Sequence, residues 1–312
     1  MMTRWRSCVI SPGPWPEPRV AYRPVADGRR GRAAAGLAAL AGIELDGAQR
    51  MVLEAACDWR GGRWSASTVG IVVPRRNLKS LCVRIRELSG LLLFGERLAI
   101  HSAHEWRTVS EQFRETVELI EGSALKRYLR PGGIRYTGGE ECITFVNGAR
   151  LRFMNRSKES ARSFGADFIA LDEAHAVTLE QAQALIPVLS DHPNSQVWWL
   201  AHGPTPGAWQ LAALRNRALS ADPGRLCWLE WSADPAVDDL EDEEVWRRVN
   251  PAEAAGRLTV ERMREERATL GAAGFAAERL AAAPWPSELA GAWQVFSEQD
   301  WAAMTGGGRP TA

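Results

Sequence analysis

The stretch from Thr68 to Ser80, "TVGIVVPRRNLKS", limits what this chain can fold into more than any other. A short β-branched run, "TVGIVV", reads as a buried strand and leads through a basic loop into "LKSLCVRIRELSGLLLFG", whose apolar spacing predicts an amphipathic helix. Strand, loop and helix in that order is the setting of a phosphate-binding loop, G-x-x-x-x-G-K-[ST], in which two glycines let backbone N–H groups close around phosphates. Lys79 and Ser80 stand at the lysine and hydroxyl positions, whereas Val73 and Leu78 occupy the glycine positions. In this reading Lys79 is a point charge on the β- and γ-phosphates of ATP, and Ser80 is a hydroxyl ligand to Mg²⁺. A loop without glycine wraps less freely. Arginine forks from Arg75 and Arg76, beside Asn77, would supply part of the grip.

A second constellation follows in the right order. Asp172 and Glu173 close the apolar run "FIAL". In a nucleotide hydrolase the first acid holds Mg²⁺ and the second polarises the attacking water. The C-terminal end of a buried strand is the crevice where open α/β sheets bind ligands. A plain solvated strand end is the bland alternative, and the pairing with Lys79-Ser80 is what argues against it.

Between and around these motifs, strand and helix patterns alternate. "RLAIHSA" reads as a strand, "EWRTVSEQFRETVELIEG" as a helix, and "ECITFVNGARLRFMN" as a hairpin turning at Asn147-Gly148. "LEQAQALIPVLS" is a helix and "SQVWWLAHG" a strand. The alternation predicts an α/β core with a mainly parallel sheet flanked by helices, which the Lys79-Ser80 and Asp172-Glu173 motifs make an expected P-loop NTPase core of the RecA/ASCE kind. Three segments are expected: a flexible Pro/Arg/Gly-rich arm over 1–33, the ATPase core over 34–232, and a helical lid or linker over 233–312.

Charge and cysteines bound the partners. Lys plus Arg and Asp plus Glu each number 38, so formal net charge is zero and any contact with nucleic acid must be local. One local excess runs from Lys126 to Arg162; it fits DNA phosphates or a neighbouring subunit's nucleotide, and equally a solvated face. The five cysteines are scattered without a C-x-x-C pair, which points to a reduced, intracellular protein. Apolar runs such as "GLLLFG" are too short to span a bilayer. The histidines at 101, 104, 175, 192 and 202 show no metal-ligand pattern, and most tryptophans sit in apolar contexts that favour core packing.

Taken together, these residues resemble the large terminase subunit of tailed bacteriophages, in the form found in phages of actinobacteria. "PRRNLKS" is similar to that family's variant loop P-R-Q-x-G-K-[ST], with Arg75, Lys79 and Ser80 at matching positions and Arg76 and Leu78 departing from it. "LDGAQRMVLEAA" resembles the family's adenine motif, which implies that Gln49 contacts the base. "IALDEAH" matches the acidic pair, and "SARSFGAD" puts Arg162 where the family has an arginine reaching a neighbour's ATP. "VWWLAHGPTP" resembles the coupling motif, with His202 and Gly203 at its centre.

The resemblance implies an ATPase motor that moves double-stranded DNA into a procapsid. It implies homo-oligomeric ring assembly, a portal protein and a small terminase subunit as partners, and a place at the portal vertex in the host cytoplasm. The family continues into a nuclease domain, whereas this chain stops near where that domain would begin, so no nuclease activity is expected of it. Two other readings stay open on the residues: a DEAH-type helicase fragment, since "DEAH" stands at 172–175, and a non-hydrolysing nucleotide-binding docking module.

Overall fold

The computed structural model describes residues 15–24, 27–136, 141–156, 165–190 and 192–286. In chain order the elements begin with β1 (Val20–Tyr22), α1 (Arg29–Leu40), α2 (Gly47–Ala56), β2 (Trp59–Arg60), β3 (Arg63–Trp64) and β4 (Thr68–Val72). The middle comprises α3 (Lys79–Leu92), β5 (Leu98–Ala103), α4 (Trp106–Glu121), β6 (Leu129–Arg135), β7 (Cys142–Phe145), β8 (Arg150–Asn155) and β9 (Phe168–Leu171). Then come α5 (Leu179–Leu185), β10 (Gln196–Ala201), α6 (Trp209–Leu219), β11 (Leu226–Glu230), α7 (Glu243–Val249), α8 (Pro251–Ala254) and α9 (Val260–Arg279).

Nine of the strands form one sheet in the order β1-β11-β4-β10-β9-β5-β8-β7-β6. Its centre, from β11 to β8, is parallel, and antiparallel strands close both edges. β4, β9 and β10, at the middle of the sheet, are buried on both faces almost throughout, which is why they read as hydrophobic runs. Alternate residues serve two cores. Val69 and Ile71 of β4, Phe168 and Ala170 of β9, and Trp198 and Leu200 of β10 pack into one core with α1 to α4. Val72, Ile169, Leu171, Val197 and Trp199 face the other core, with α5 and α6.

β10 lies between β4 and β9, with Ala201 opposite Val72 and Trp199 opposite Leu171. This crossover brings the ends of β4, β9 and β10 to one edge of the sheet, the edge that carries both sequence motifs. Residues 233–286 form a helical cluster with its own small core around Trp246, Met263 and Phe275. No second sheet of the kind a helicase requires occurs there among the described residues. No helix among the described residues is long and apolar enough to cross a membrane.

Three features depart from the sequence reading. The expected arm over 1–33 is structured in part: Val20–Tyr22 pairs antiparallel with β11, and α1 starts at Arg29. The first part of the expected core is two helices broken around Gly42, followed by the β2–β3 hairpin, an element that the sequence reading did not name. β11 and β6 are strands that the alternation did not single out. Residues 287–312, at the end of the expected lid, lie outside the described residues.

Gly70 of β4 shows how tightly the sheet is packed. A Cβ there would meet the Trp228 ring of β11 at 2.2 Å, and Trp228 is fully buried. Gly70→Ala must displace that indole and is expected to destabilise the fold by about 1–3 kcal/mol. Urea denaturation of the two proteins, with the m-value unchanged, checks it.

Candidate functional site

The loop after β4 gets its shape from residues that are not glycine. Leu78 is 2% exposed and belongs to the core, so its side chain points away from the mouth of the loop. Its φ of −134° needs no glycine. The left-handed turn falls on Arg76 instead, at φ 57°, in an exposed position. Such a conformation costs a residue with a Cβ roughly 1–2 kcal/mol and persists only where the surroundings impose it.

Lys79 is the first residue of α3, and its ammonium donates to the carbonyls of Val73 at 2.6 Å and Pro74 at 3.3 Å. Burial pulls its pKa down to about 8, against the opposing pull of Asp172. Ser80 follows on the exposed first turn.

Asp172 and Glu173 leave the end of β9. Asp172 Oδ1 accepts the Glu173 N–H at 2.9 Å, and Oδ2 lies 3.9 Å from Nε2 of the buried His101. The other nitrogen of His101, Nδ1, is 2.8 Å from Glu87 of α3, so one imidazole links the lysine's helix to the aspartate. Burial opposes a charge on His101, but the carboxylates of Glu87 and Asp172 together raise its pKa. Glu173 takes a left-handed conformation, φ 52° and ψ 46°, a second strained non-glycine residue at this edge. Its carboxylate accepts the His104 N–H and the Thr108 hydroxyl, each at 3.2 Å, which seats it at the N-terminus of α4.

His202 follows β10 and meets His175 edge to face, with ring centroids 4.2 Å apart. Burial is the main cause that lowers both pKa values, and Arg75 and Lys79 push them down further. His175 falls to about 4 and His202 to about 3. Both rings are therefore neutral near pH 7, in a field set by nearby cations. Gly203 is buried, and a Cβ there would sit 3.2 Å from the Ala281 Cα.

The sequence matches no protein-family model and no curated protein. Among solved structures the fold is similar to the large terminase of bacteriophage HK97, with TM-score 0.69 and 15% identity over 82% of this chain and 55% of that one. It is also similar to the ATPase domain of the Thermus phage P74-26 large terminase, with TM-score 0.54 and 15% identity over 84% of this chain and 99% of that domain. The fold is that of a phage large-terminase ATPase domain. The chain spans about half, 55%, of the HK97 protein's length.

Within this terminase ATPase fold, several expected site residues are placed differently. Asn77, expected at the nucleotide, is 6% exposed, and its side chain ties the loop together. Its Nδ2 donates to Pro74 O, Arg75 O and Asn250 Oδ1 at 3.0–3.2 Å, and its Oδ1 accepts the Ala252 N–H at 2.9 Å. The amide is thus consumed by the protein. Gln49 is buried at the start of α2, where Oε1 accepts the Asp46 N–H at 2.9 Å and completes a capping box. Arg75 pairs with Glu278 of α9, and Arg279 donates to the Arg75 carbonyl at 2.9 Å. Arg76 stays exposed on the loop. Arg162 lies outside the described residues.

Sequence reasoning missed Arg156, which it counted within a basic surface stretch. It is 6% exposed and donates to the carbonyls of Ser102 (3.3 Å) and Asp172. Its Nε and Nη1 have no partner among the described residues. The position immediately after an apolar strand end was the available signal. Asn250 was missed as well. It is fully buried and donates to Trp246 O at 2.9 Å and Arg279 O at 3.0 Å, so the loop and the helical subdomain share one network.

If the Asn77–Asn250 bond couples the two parts, Asn77→Ala and Asn250→Ala will not be additive. A coupling energy of about 1 kcal/mol is expected from a double-mutant cycle in urea. A cycle that closes to zero would mean the two asparagines act independently.

Proposed function

We propose that this chain is the Mg-ATP-hydrolysing motor domain of a phage large terminase, driving double-stranded DNA into a procapsid. One observation carries the reading. Lys79, at the start of α3 just beyond β4, and the Asp172–Glu173 pair at the end of β9 share one sheet edge, beside His175 and His202, which burial chiefly, with Arg75 and Lys79 adding to it, keeps neutral. A site with this charge favours an anionic ligand, and a lysine electrostatically coupled to an aspartate suits a phosphate with its metal ion.

The proposed reading gives each residue a role. Lys79 exchanges its two loop carbonyls for phosphate oxygens. Ser80 and Asp172 offer hard oxygen donors that fit Mg²⁺, which takes few protein ligands and completes its shell with phosphates and water. Bound there, the ion would neutralise charge developing on the phosphates. Glu173, fixed by the His104 N–H and Thr108, accepts a hydrogen bond from the attacking water and orients it. His202 and His175, neutral and adjacent, would sense the state of the γ-phosphate and pass it to Gly203 and the helical subdomain; their ring contact and the close approach of Gly203 to Ala281 support this role.

Arg162 reaches a neighbour's nucleotide in the assembled ring; an arginine finger of this kind is worth about 10³–10⁵ in rate. Portal and small terminase subunit are the partners of that ring.

Steady-state ATP hydrolysis measured over a protein concentration series, with and without duplex DNA, tests the reading. Turnover should rise faster than linearly with concentration and disappear in Lys79→Ala and Glu173→Ala. Wild-type turnover no higher than in these variants under every condition would reduce the chain to a binding module.

A second test uses pH. The lysine pKa near 8 in the free protein means that charge is lost as pH rises through 8, while a bound phosphate favours the protonated form. Nucleotide affinity is therefore flat below about pH 7.5 and falls above 8, with up to one proton taken up on binding. Calorimetry at pH 8.5 in buffers of different ionisation enthalpy reads that proton directly. An enthalpy independent of buffer would remove Lys79 from the phosphate.

A further inference from the structure

At the other end of β4 the chain makes a second basic feature. β2 and β3 form the hairpin Trp59-Arg60-Gly61-Gly62-Arg63-Trp64, in which Arg60 faces Arg63 and Trp59 faces Trp64 across the strands. Arg60, Gly61, Gly62 and Arg63 are all exposed. Both glycines have positive φ, 58° and 80°, as a tight two-residue hairpin turn requires. The hairpin precedes Thr68, whereas the phosphate loop leaves after Val72, so roughly 16 Å of strand separates them.

The hairpin stands on a rigid base. Trp64 is 1% exposed and packs edge-on against Trp59 and Phe94, with centroids 5.0 and 5.6 Å away. Its N–H donates to Asn194 Oδ1 at 2.8 Å, and its carbonyl accepts from Arg225 at 2.7 Å. Beneath it lies the fully buried Arg86, bidentate on Glu96 at 2.7 and 2.8 Å and bonded to Gln196 at 3.0 Å. Arg30 covers the Trp59 face at 3.4 Å.

Like charges opposite each other across a hairpin destabilise it. Here two arginines are held that way, with no ion pair or hydrogen bond to either guanidinium among the described residues. Arg225 adds a third cation close enough to Arg63 to feel its field. In a chain with zero net charge, such a local concentration is one that an anionic partner would relieve.

We infer that the Arg60-Gly61-Gly62-Arg63 tip grips the phosphate backbone of double-stranded nucleic acid. This rests on the motor reading for the identity of the polyanion. Two guanidinium forks match phosphate oxygens, and the bare glycines let a phosphate approach the backbone N–H groups. The tip has no apolar side chain to anchor a protein partner or enter a membrane. Lying at the opposite end of β4, it can hold nucleic acid while nucleotide occupies the other end.

The test is fluorescence anisotropy of a labelled 30-base-pair duplex with the full chain across a salt series, for wild type, R60E/R63E and R60K/R63K. Charge reversal should weaken binding at least tenfold and reduce the slope of log K against log salt by about 1.8, two contacts at about 0.9 each. The lysine pair should keep most of the slope and lose part of the affinity. Unchanged affinity and slope in R60E/R63E would overturn the inference. So would polyglutamate displacing the duplex as well as unlabelled DNA does, since the tip would then serve an acidic protein.

DNA-independent ATP turnover, measured on the same proteins, separates the two claims. Turnover at wild-type level with unchanged duplex binding in R60E/R63E sinks the tip and leaves the motor. Tip-dependent binding in a chain that never hydrolyses ATP sinks the motor and leaves the tip as a nucleic-acid contact.

Discussion

The parallel pairing of β10 with β4 on one side and β9 on the other is the constraint on which the rest depends. It places the residues after Val72, Leu171 and Ala201 along one edge, so Lys79, Asp172, Glu173 and His202 meet although 123 positions separate the first from the last. Burial on both faces enforces that register. A slip of one residue would exchange the inhabitants of the two cores, sending Trp198 and Phe168 into space shaped for Val197 and Ile169. The site is therefore positioned by hydrophobic packing well below it, and its polar groups inherit their geometry.

What packing does not supply, the helical subdomain does. A phosphate loop without glycine must place side chains where glycine would leave none, and this one sends Leu78 into the core and lets Arg76 carry the left-handed turn. Asn77 then fastens the loop to Asn250, Arg279 bonds the Arg75 carbonyl, and Arg257 reaches both the Asn77 carbonyl and Asp46. Several hydrogen bonds, each worth about 1 kcal/mol net, are enough to offset the strain at Arg76. Because those bonds come from residues 250–279, loop shape and subdomain position are energetically linked. Any ligand that moves Arg75 must also disturb its pair with Glu278.

How much of this was legible in the sequence depends on whether the signal is local. β4, β5, β9 and β10 are continuous apolar runs because parallel strands between helices are buried on both faces, and Lys79-Ser80 and Asp172-Glu173 sit at their ends. β6 carries Pro131, Gly132 and Gly133, which an edge strand tolerates and a pattern search rejects. β1 is three residues inside a proline-rich segment and exists only because β11 offers a free edge. The Asn77–Asn250 contact spans 173 positions and the His175–His202 contact 27, with no periodicity to announce either. Arg156 was misplaced for another reason: charge counting treats every arginine as solvated, whereas this one follows an inward-facing strand and is used to hold carbonyls.

The buried cations show why the two ends of β4 differ in kind. At the hairpin end, Arg86 is neutralised by Glu96, and that pair is built to be rigid. At the loop end, Lys79 and Arg156 donate to backbone carbonyls rather than to carboxylates, and burial lowers both pKa values despite the pull of Asp172. A fully compensated charge network stabilises one geometry. An under-compensated one stores electrostatic free energy that a multiply charged anion releases when it binds, and each ligand charge is worth most in this half-buried setting of reduced dielectric. The same fold thus spends its buried charges in two ways, one to hold the scaffold still and one to make its mouth respond to phosphate.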